Sequence, residues 1–300
     1  MKSPFRMHER ESFFKYMNLS TAFKVLDSSS LRWSSPLIFN DPFDVPREVL
    51  PDVNEYTIGQ ALIRKIIYEL SHPRDDTSGF NMRIRYLLDF YRTNFPDGVP
   101  AELIQKQKEL LDNPPVGEGA REAIQEFKDT WTKMLVDRRI ICLFESPLIA
   151  PMWNHYADSY KGIVLEFFCS DELDSAWLIA KPINYTNEKP MTYSASGMAE
   201  LLFMREDNVI NYINEDITYI KTEDWKYERE WRVSTHKRPM HEGLHSDLTF
   251  HYNELKTIVM GPLFDMGELP KIQQLSKRYP LVKLAKATFS REGVIEIIQM

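Results

Sequence analysis

The sequence contains little cysteine and glycine for its length. Its two cysteines, Cys142 and Cys169, both lie in apolar runs, IICLF and IVLEFFC, that are predicted to be buried strands. This usage is typical of a cytosolic protein whose thiols stay reduced in the core. The 11 glycines are scattered along the chain, and no glycine-rich phosphate loop occurs. Nucleotide sites of the P-loop and Rossmann types are therefore excluded.

Long apolar runs and an excess of positive charge are also missing. No run approaches the ~20 apolar residues that span a bilayer, and the N-terminal MKSPFRMHER lacks the apolar stretch of a signal peptide. We therefore expect a cytoplasmic protein without a membrane partner. The formal net charge of -7 argues against non-specific nucleic-acid binding, because such binding needs several Lys or Arg side chains facing phosphates.

The composition that remains is that of an ordinary folded protein. The chain starts with a strand, FFKYM, a helix over residues 19–28 and a second strand, LRWSSPLIF. Over residues 56–136 the apolar residues follow helical spacing, and after Asp137 strand patterns return. We predict a single α+β domain over residues 1–300, with a mixed, largely antiparallel central sheet and a helical insertion at 56–136.

The most informative segment, Trp225 to Thr235, is predicted to be a strand. Side chains alternate along a strand, so Glu228, Glu230 and Arg232 share the face opposite the tryptophans. Two carboxylates so close raise one another's proton affinity, and the neighbouring arginine can hold one of them ionised. Such a pair suits catalysis. The alternative is a solvent-facing strand on which Glu and Arg form a weak surface pair.

A second segment, PMWNHYADSYKG at 151–162, concentrates polar and aromatic residues between two apolar strands. That density suits a ligand that needs stacking as well as hydrogen bonds. His155 and Tyr156 are candidate catalytic residues, and Trp153 and Lys161 are candidate binding residues. The alternative is a structural turn in which His155 bonds backbone carbonyls and Trp153 fills the core.

A third polar cluster lies near the N-terminus. The Arg32 guanidinium suits a phosphate, and the Ser34 hydroxyl suits a ribose or an amide. The alternative is an amphipathic strand followed by an Asx-type turn. The candidate cofactor-binding residues of this cluster are Lys15, Tyr16, Arg32, Ser34, Asn40 and Asp41. Arg232 of the late segment joins them as a candidate.

The string HEGLH, from His241 to His245, matches the H-E-x-x-H signature of zinc proteases. That chemistry needs a helix that places both histidines on one face. Pro239 precedes the string closely and Gly243 interrupts it, so we predict a polar loop between strands. A zinc hydrolase using His241 and His245 is a remote alternative, and no metal is expected.

Three stretches taken together resemble the widespread bacterial family called domain of unknown function 2971. They are FFKYM…LRWSSPLIFNDPFD, ICLFES…MWNHYADSYKGIVLEF and WKYEREWRV. The resemblance covers most of the chain outside the helical middle, and the HEGLH loop is not part of it. The family has no settled biochemical role, so the resemblance implies kinship and no particular activity.

The order of the motifs is also similar to that in the ADP-ribosyltransferase fold, which ends with a catalytic Glu on a late strand. The chain departs from that fold in having a long helical insertion and no clear Ser-Thr-Ser strand. The similarity implies that NAD is bound, that Glu230 stabilises the positive charge developing on the ribose, and that Glu228 positions the acceptor. In the same order along this chain come Tyr16, Arg32 with Ser34, His155 with Tyr156, and Glu228 with Glu230.

The same similarity implies further roles. Tyr16 or Tyr156 would stack on nicotinamide, and Arg32 or Lys161 would hold the pyrophosphate. The leading hypothesis is therefore an NAD-dependent ADP-ribosyltransferase-like enzyme with a small-molecule nucleotide as its partner. The alternative is a non-catalytic module that binds a nucleotide or a partner segment, although the sequence indicates no particular protein partner. We predict that the three motifs meet in space, because polar clusters on separate strands rarely persist unless they share a pocket.

Overall fold

A computed structural model describes residues 2–49, 53–115 and 118–300. Its mixed, largely antiparallel sheet with separate helices confirms the predicted α+β class. The chain divides into two compact units. The first contains Met1–Asp44, Val136–Thr186 and Tyr219–Met300, and the second contains Val45–Leu135 and Asn187–Thr218. The single domain predicted over residues 1–300 stays a prediction.

The first unit contains the main sheet. The strands of this unit are β1 (Ser12–Met17), β2 (Ser30–Ser34), β3 (Arg138–Phe144), β4 (Ile163–Phe168), β5 (Lys181–Pro182), β6 (Asn184–Tyr185), β7 (Ile220–Lys221), β8 (Glu230–His236), β9 (His245–Thr249), β10 (Leu255–Met260), β11 (Lys283–Phe289) and β12 (Ile295–Gln299). All of them except β6 and β7 belong to the main sheet. Within the described ranges, the order is β12-β11-β10-β4-β1-β3-β2-β9, with β8 paired to β3 and β5 to β8. The pair β10–β11 is parallel, whereas the other neighbours in this sheet are antiparallel. A short parallel pair, β6–β7, lies beside it.

The first five helices fall in the two stretches where helices were predicted. The α-helices of the described residues are α1 (Leu19–Ser28), α2 (Glu55–Ser71), α3 (Met82–Asn94), α4 (Ala101–Glu109), α5 (Glu118–Asp137), α6 (Ala150–Tyr156), α7 (Ala195–Phe203), α8 (Glu206–Asn211) and α9 (Leu269–Ser276). The α1 helix begins where the Asn18 side chain accepts a hydrogen bond from the Thr21 N–H. It ends at Ser29, which adopts a left-handed conformation. No helix of the described residues is long and apolar enough to cross a membrane.

The second unit is helical and has its own buried polar contacts. Glu69 of α2 is buried and pairs with Lys65 and Arg74. Trp131 of α5 is buried, and its Nε1 donates to the Pro46 carbonyl at 2.9 Å. The helices α2 to α5 fall in the stretch where the sequence shows helical spacing. Apolar periodicity therefore predicted this secondary structure well.

The faces of the main sheet separate two apolar clusters because side chains alternate along each strand. On β1, Phe13 and Met17 pack into one cluster, and Phe14 and Tyr16 pack into the other. The cysteines are unpaired, as predicted: Cys169 is buried and Cys142 is partly buried. The second cluster, on the side of Tyr16, adjoins the polar residues described next.

One strand prediction was wrong in its first half. Residues Glu223–Glu228 form a 3-10 helix, Arg229 has a left-handed backbone with φ of 48°, and β8 begins only at Glu230. Glu228 therefore does not share a strand face with Glu230 and Arg232. The buried contacts that Glu228 makes with Tyr156 and Lys221 outweigh the strand propensity of this segment, because β propensity depends strongly on tertiary context.

Candidate functional site

Five buried ionisable residues meet beside β8. Glu230 and Arg232 lie on the same face of β8, opposite Phe144 and Cys142 of β3. Lys221 lies on β7, and Glu228 is the last residue of the 3-10 helix. Asp44 is the last residue of the segment Met1–Asp44 of the first unit. We call this set the Arg232 cluster. Its members are Asp44, Lys221, Glu228, Glu230 and Arg232.

The cluster is a continuous network of ion pairs. Arg232 donates from Nε to Glu230 Oε1 at 2.7 Å and from Nη2 to Asp44 Oδ2 at 2.5 Å. Lys221 Nζ donates to Glu228 Oε2 at 2.7 Å and to Glu230 Oε2 at 2.9 Å. Exposure ranges from 0% for Glu228 and Arg232 to 7% for Lys221. Buried charges are tolerated only when they are paired in this way.

The carboxylates of the cluster differ in proton affinity. Burial, reinforced by the charge of Glu230, raises the pKa of Glu228 above its usual range even though Lys221 opposes the shift. Burial also raises the pKa of Asp44, against the pull of Arg232. Burial also tends to raise the pKa of Glu230, but the charges of Arg232 and Lys221 have the larger effect and lower it. Glu230 is thus held ionised while Glu228 and Asp44 retain affinity for a proton.

Tyr156 connects the cluster to the surface. Its Oη donates to Glu228 Oε1 at 2.8 Å, and the exposed Asn40 offers Nδ2 to Tyr156 Oη at 3.5 Å. The phenol is partly exposed at the end of α6. Burial and the charge of Glu228 both raise the pKa of Tyr156. The hydroxyl is therefore neutral at physiological pH and keeps its proton as the donor of the hydrogen bond to Glu228.

The segment around Tyr156 is fixed by packing. Trp153 is fully buried, donates from Nε1 to the Pro147 carbonyl at 2.7 Å and lies edge-on to Tyr16 at 5.3 Å between ring centroids. A Cβ on Gly162 would lie 2.3 Å from the Met17 carbonyl oxygen and 2.8 Å from Ala157 Cα. These close approaches leave no room for a side chain at position 162. The polar residues Asn154, His155 and Lys161 of the same string are exposed.

The structure brings the three predicted motifs together at the Arg232 cluster. Asn40 of the first motif contacts Tyr156 of the second, which contacts Glu228 of the third. Phe144 bridges the same region: its ring is 5.6 Å from Tyr16 and 6.0 Å from Tyr156. The predicted meeting of the three motifs is therefore observed, through Asn40, Tyr156 and Glu228.

Several predicted site residues lie elsewhere. Tyr16 is 3% exposed and donates to the Ser146 carbonyl, so its ring is surrounded by protein. Lys15 Nζ donates to the Cys142 carbonyl, and Asp41 Oδ1 accepts from the Phe43 N–H in a local turn. Two further candidates lie on β2: Arg32 pairs with Asp247 of β9, and Ser34 lies opposite Ile140 of β3. His155 and Lys161 are exposed at the surface. Ligand binding by any of them stays a prediction.

Sequence reasoning missed Asp44, Lys221 and Tyr185. Asp44 belongs to the string NDPFD, which has the composition of a turn, and Lys221 stands in a stretch, YIKTED, without any distinguishing pattern. Tyr185 accepts from the Glu230 N–H at 2.8 Å and thereby supports the start of β8. The one available signal was the NDPFD turn, whose second acid lies two residues beyond the proline.

The HEGLH string forms a loop that leads into β9, as predicted, and not a helix. His241 Nδ1 lies 2.8 Å from Ser246 Oγ, and His245 is the first residue of the strand. Among the residues that the structure describes, no three His, Cys, Asp or Glu side chains are grouped to hold a metal ion. The two histidines therefore lack the shared helical face that the zinc-protease chemistry requires.

Comparison with known proteins adds a family but no activity. The model of the family described as Protein of unknown function (DUF2971) matches residues 152–233. No curated protein and no solved structure matches the chain. The matched stretch includes Tyr156 and every member of the Arg232 cluster except Asp44. The predicted kinship with the DUF2971 family is thus confirmed over the region that builds most of the candidate site.

Proposed function

We propose that the chain is an ADP-ribosyltransferase-like enzyme that uses NAD, with Tyr156 and the Arg232 cluster as its reaction centre. The observation that carries the proposal is the contact of Tyr156 Oη with Glu228 Oε1 at 2.8 Å, next to Glu230, which Lys221 and Arg232 bond. In this geometry burial raises the pKa of Glu228, whereas the two cations lower that of Glu230. Environments that separate two carboxyl pKa values in this way assign one group to proton transfer and the other to charge stabilisation.

The charge of the cluster fits a reaction that develops positive charge. Three carboxylates face two cations, so the cluster is one negative charge in excess when all its groups are ionised. Within the described residues, Asp44 Oδ1 is buried without a hydrogen-bond partner. NAD, when bound, would supply a ribosyl group that becomes cationic as nicotinamide leaves. A preorganised negative field in a buried site stabilises such charge more than water does.

The residues have distinct roles in this proposal. Glu230 is only 2% exposed, so it acts as a positioning residue that holds Lys221 and Arg232 and supplies part of the field. Tyr156 Oη takes the proton of the acceptor hydroxyl or amine as it passes its own proton to Glu228 Oε1, and the acceptor atom bonds to the ribose carbon that nicotinamide leaves. Asn40 orients the phenol. Tyr156 is thus the catalytic residue at the surface.

The test is release of nicotinamide from NAD by the purified protein and by Tyr156→Phe. Loss of a general acid–base group lowers turnover by roughly 10²–10⁴-fold, whereas loss of one hydrogen bond to a charged group lowers stability by about 1.5–3 kcal/mol. Tyr16→Phe is the control for removing a tyrosine hydroxyl outside the cluster, the one that donates to the Ser146 carbonyl. Full turnover by Tyr156→Phe, or none by the parent protein, would reject the proposal.

A non-catalytic nucleotide-binding module is the second candidate, favoured by the near-complete burial and mutual pairing of Glu230 and Arg232. In that case the parent protein binds NAD but releases no nicotinamide, and Glu228→Gln leaves the affinity for NAD unchanged. A catalytic role predicts that Glu228→Gln abolishes turnover with little change in affinity. We further propose a cytoplasmic location, which the two unpaired cysteines support.

A further inference from the structure

A cleft of about 590 Å³ opens beside the first residues of β8. Three aromatic side chains, those of Tyr185, Tyr227 and Trp231, contribute to its wall, together with the apolar Pro182 and Ile183. Planar rings bind well against such a surface, since stacking buries apolar area in a preferred geometry. The cleft is thus suited to an aromatic ligand group.

The acidic groups at this cleft are already neutralised. Glu145 Oε1 accepts from Trp231 Nε1 at 2.8 Å and pairs with Arg10 Nη1 at 3.2 Å. The carboxylate of Glu230 is bonded to Arg232 and Lys221. A ligand entering the cleft therefore finds no unpaired carboxylate to bind a cation.

Two cations border the same cleft and favour an anion instead. Lys226 is exposed and forms a surface pair with Glu223 at 3.1 Å, which is a weak interaction that a ligand can replace. Arg229 is exposed, and its guanidinium makes no ion pair or hydrogen bond within the part of the chain that the structure describes. Guanidinium groups bind phosphate oxygens with two parallel hydrogen bonds.

The backbone of Arg229 supports this assignment. Its φ of 48° and ψ of 50° lie in the left-handed region, which favours glycine and tolerates asparagine better than other residues. An arginine here is less stable than a glycine would be, and within the described residues its guanidinium forms no hydrogen bond or ion pair that would compensate. Strained residues of this kind are concentrated at binding and catalytic sites.

We propose that this cleft binds a nucleoside phosphate, with the base against Tyr185, Tyr227 and Trp231 and the phosphate held by Arg229 together with Lys226. The inference goes beyond the proposed chemistry because it uses none of the proton-transfer residues. A free nucleotide and the adenylate part of a dinucleotide share the required ring and phosphate. Adenosine monophosphate is therefore a suitable probe for both.

Calorimetric titration of the whole chain with adenosine monophosphate, adenosine and inorganic phosphate tests the proposal. We expect the nucleotide to bind more tightly than either part and to lose affinity as salt is added. Arg229→Asn should weaken nucleotide binding by on the order of tenfold or more, as expected for loss of hydrogen bonds to a charged group, and leave adenosine binding within about twofold. Asparagine accepts the left-handed backbone, so this variant is expected to fold.

Arg291→Asn is the control, because it removes an exposed arginine in the turn between β11 and β12, outside the cleft, and changes the net charge equally. Absence of nucleotide binding by the parent protein, or equal affinity in Arg229→Asn and the parent, would overturn the inference. Nucleotide binding without nicotinamide release would support the cleft and reject the proposed chemistry. If nicotinamide is released and the KM for NAD is unchanged in Arg229→Asn, the cleft does not hold the phosphate of the dinucleotide. Weaker binding of adenosine monophosphate by the same variant would then show that the cleft binds free nucleotides, and unchanged binding would overturn the inference.

Discussion

Two arginines, Arg139 and Arg232, lie on the paired strands β3 and β8, and neither side chain is exposed to solvent. Arg232 is held by the carboxylates of Glu230 and Asp44. Arg139 instead donates to Ser246 Oγ at 3.0 Å and to the carbonyl oxygens of Val136, Arg138 and Gly243 at 2.7 to 2.8 Å. The same sheet thus buries one guanidinium, that of Arg232, among carboxylates and another, that of Arg139, among neutral hydroxyl and carbonyl groups.

The difference appears in the pKa of each guanidinium. Burial lowers the pKa of Arg139, and the charge of Asp137 only partly offsets that effect. Burial acts in the same direction on Arg232, but Asp44 and Glu230 outweigh it and raise the pKa well above the usual value. Both groups remain charged. Only the Arg232 site therefore creates carboxylates with separated pKa values, whereas the Arg139 site ties the loop before β9 to the sheet.

The largest expected effect separates the two arginines directly. Arg232→Met leaves Asp44 and Glu230 buried beside a single cation, Lys221, and breaking a buried pair on one side destabilises by about 3–5 kcal/mol. Urea unfolding of the variant and the parent protein measures this loss. A loss below about 1 kcal/mol would show that the cluster rearranges freely or admits water.

A smaller loss is expected when a carboxylate of the cluster is made neutral. Glu230→Gln keeps the shape of the side chain but removes a charge that bonds both Arg232 and Lys221, and hydrogen bonds to charged groups contribute about 1.5–3 kcal/mol. Glu228→Gln should destabilise less, because the raised pKa of Glu228 shows that its environment already disfavours the charged form. The reverse order of the two melting temperatures would contradict the assigned pKa directions.

Arg139→Met tests the neutral site. It leaves carbonyl oxygens and Ser246 without their donor, and unsatisfied buried polar groups cost about 1–3 kcal/mol. We expect a loss of stability smaller than that of Arg232→Met, together with faster hydrogen exchange in the loop before β9. An equal or larger loss would mean that carboxylate pairing is not what distinguishes the two sites.

The smallest effect is a difference in acid sensitivity. Glu230 has a lowered pKa in the folded protein, so its contribution is present above the ordinary glutamate value of about 4.3 and is lost as pH falls toward the folded value. The stability difference between the parent and Glu230→Gln should therefore shrink below about pH 4.3. The difference between the parent and Arg139→Met should stay nearly constant there, since the partners of Arg139 among the described residues are Ser246 and backbone carbonyls, not carboxylates.

Local patterns were enough for much of the fold. The first strand, α1, the helical stretch of α2 to α5 and the closing strands were predicted, because apolar spacing acts within a few positions. The second strand was predicted too long: β2 ends at Ser34, and Pro36–Ile38 form a 3-10 turn, since Pro36 cannot donate a ladder hydrogen bond. Alternation also placed Glu230 and Arg232 correctly on one face of β8. It failed at Glu228, where contacts distant in sequence replaced the strand by a 3-10 turn.

The sequence by itself determined most of the secondary structure, the apolar faces of the sheet and the kinship of residues 152–233. It also identified Tyr156, Glu228, Glu230 and Arg232 as candidates. Only the tertiary structure decided that Asp44, 188 residues away from Arg232, completes the cluster, and that Lys221 joins its carboxylates. Proton affinities follow from burial and from the distances between charges, and neither quantity is contained in any local stretch of the chain.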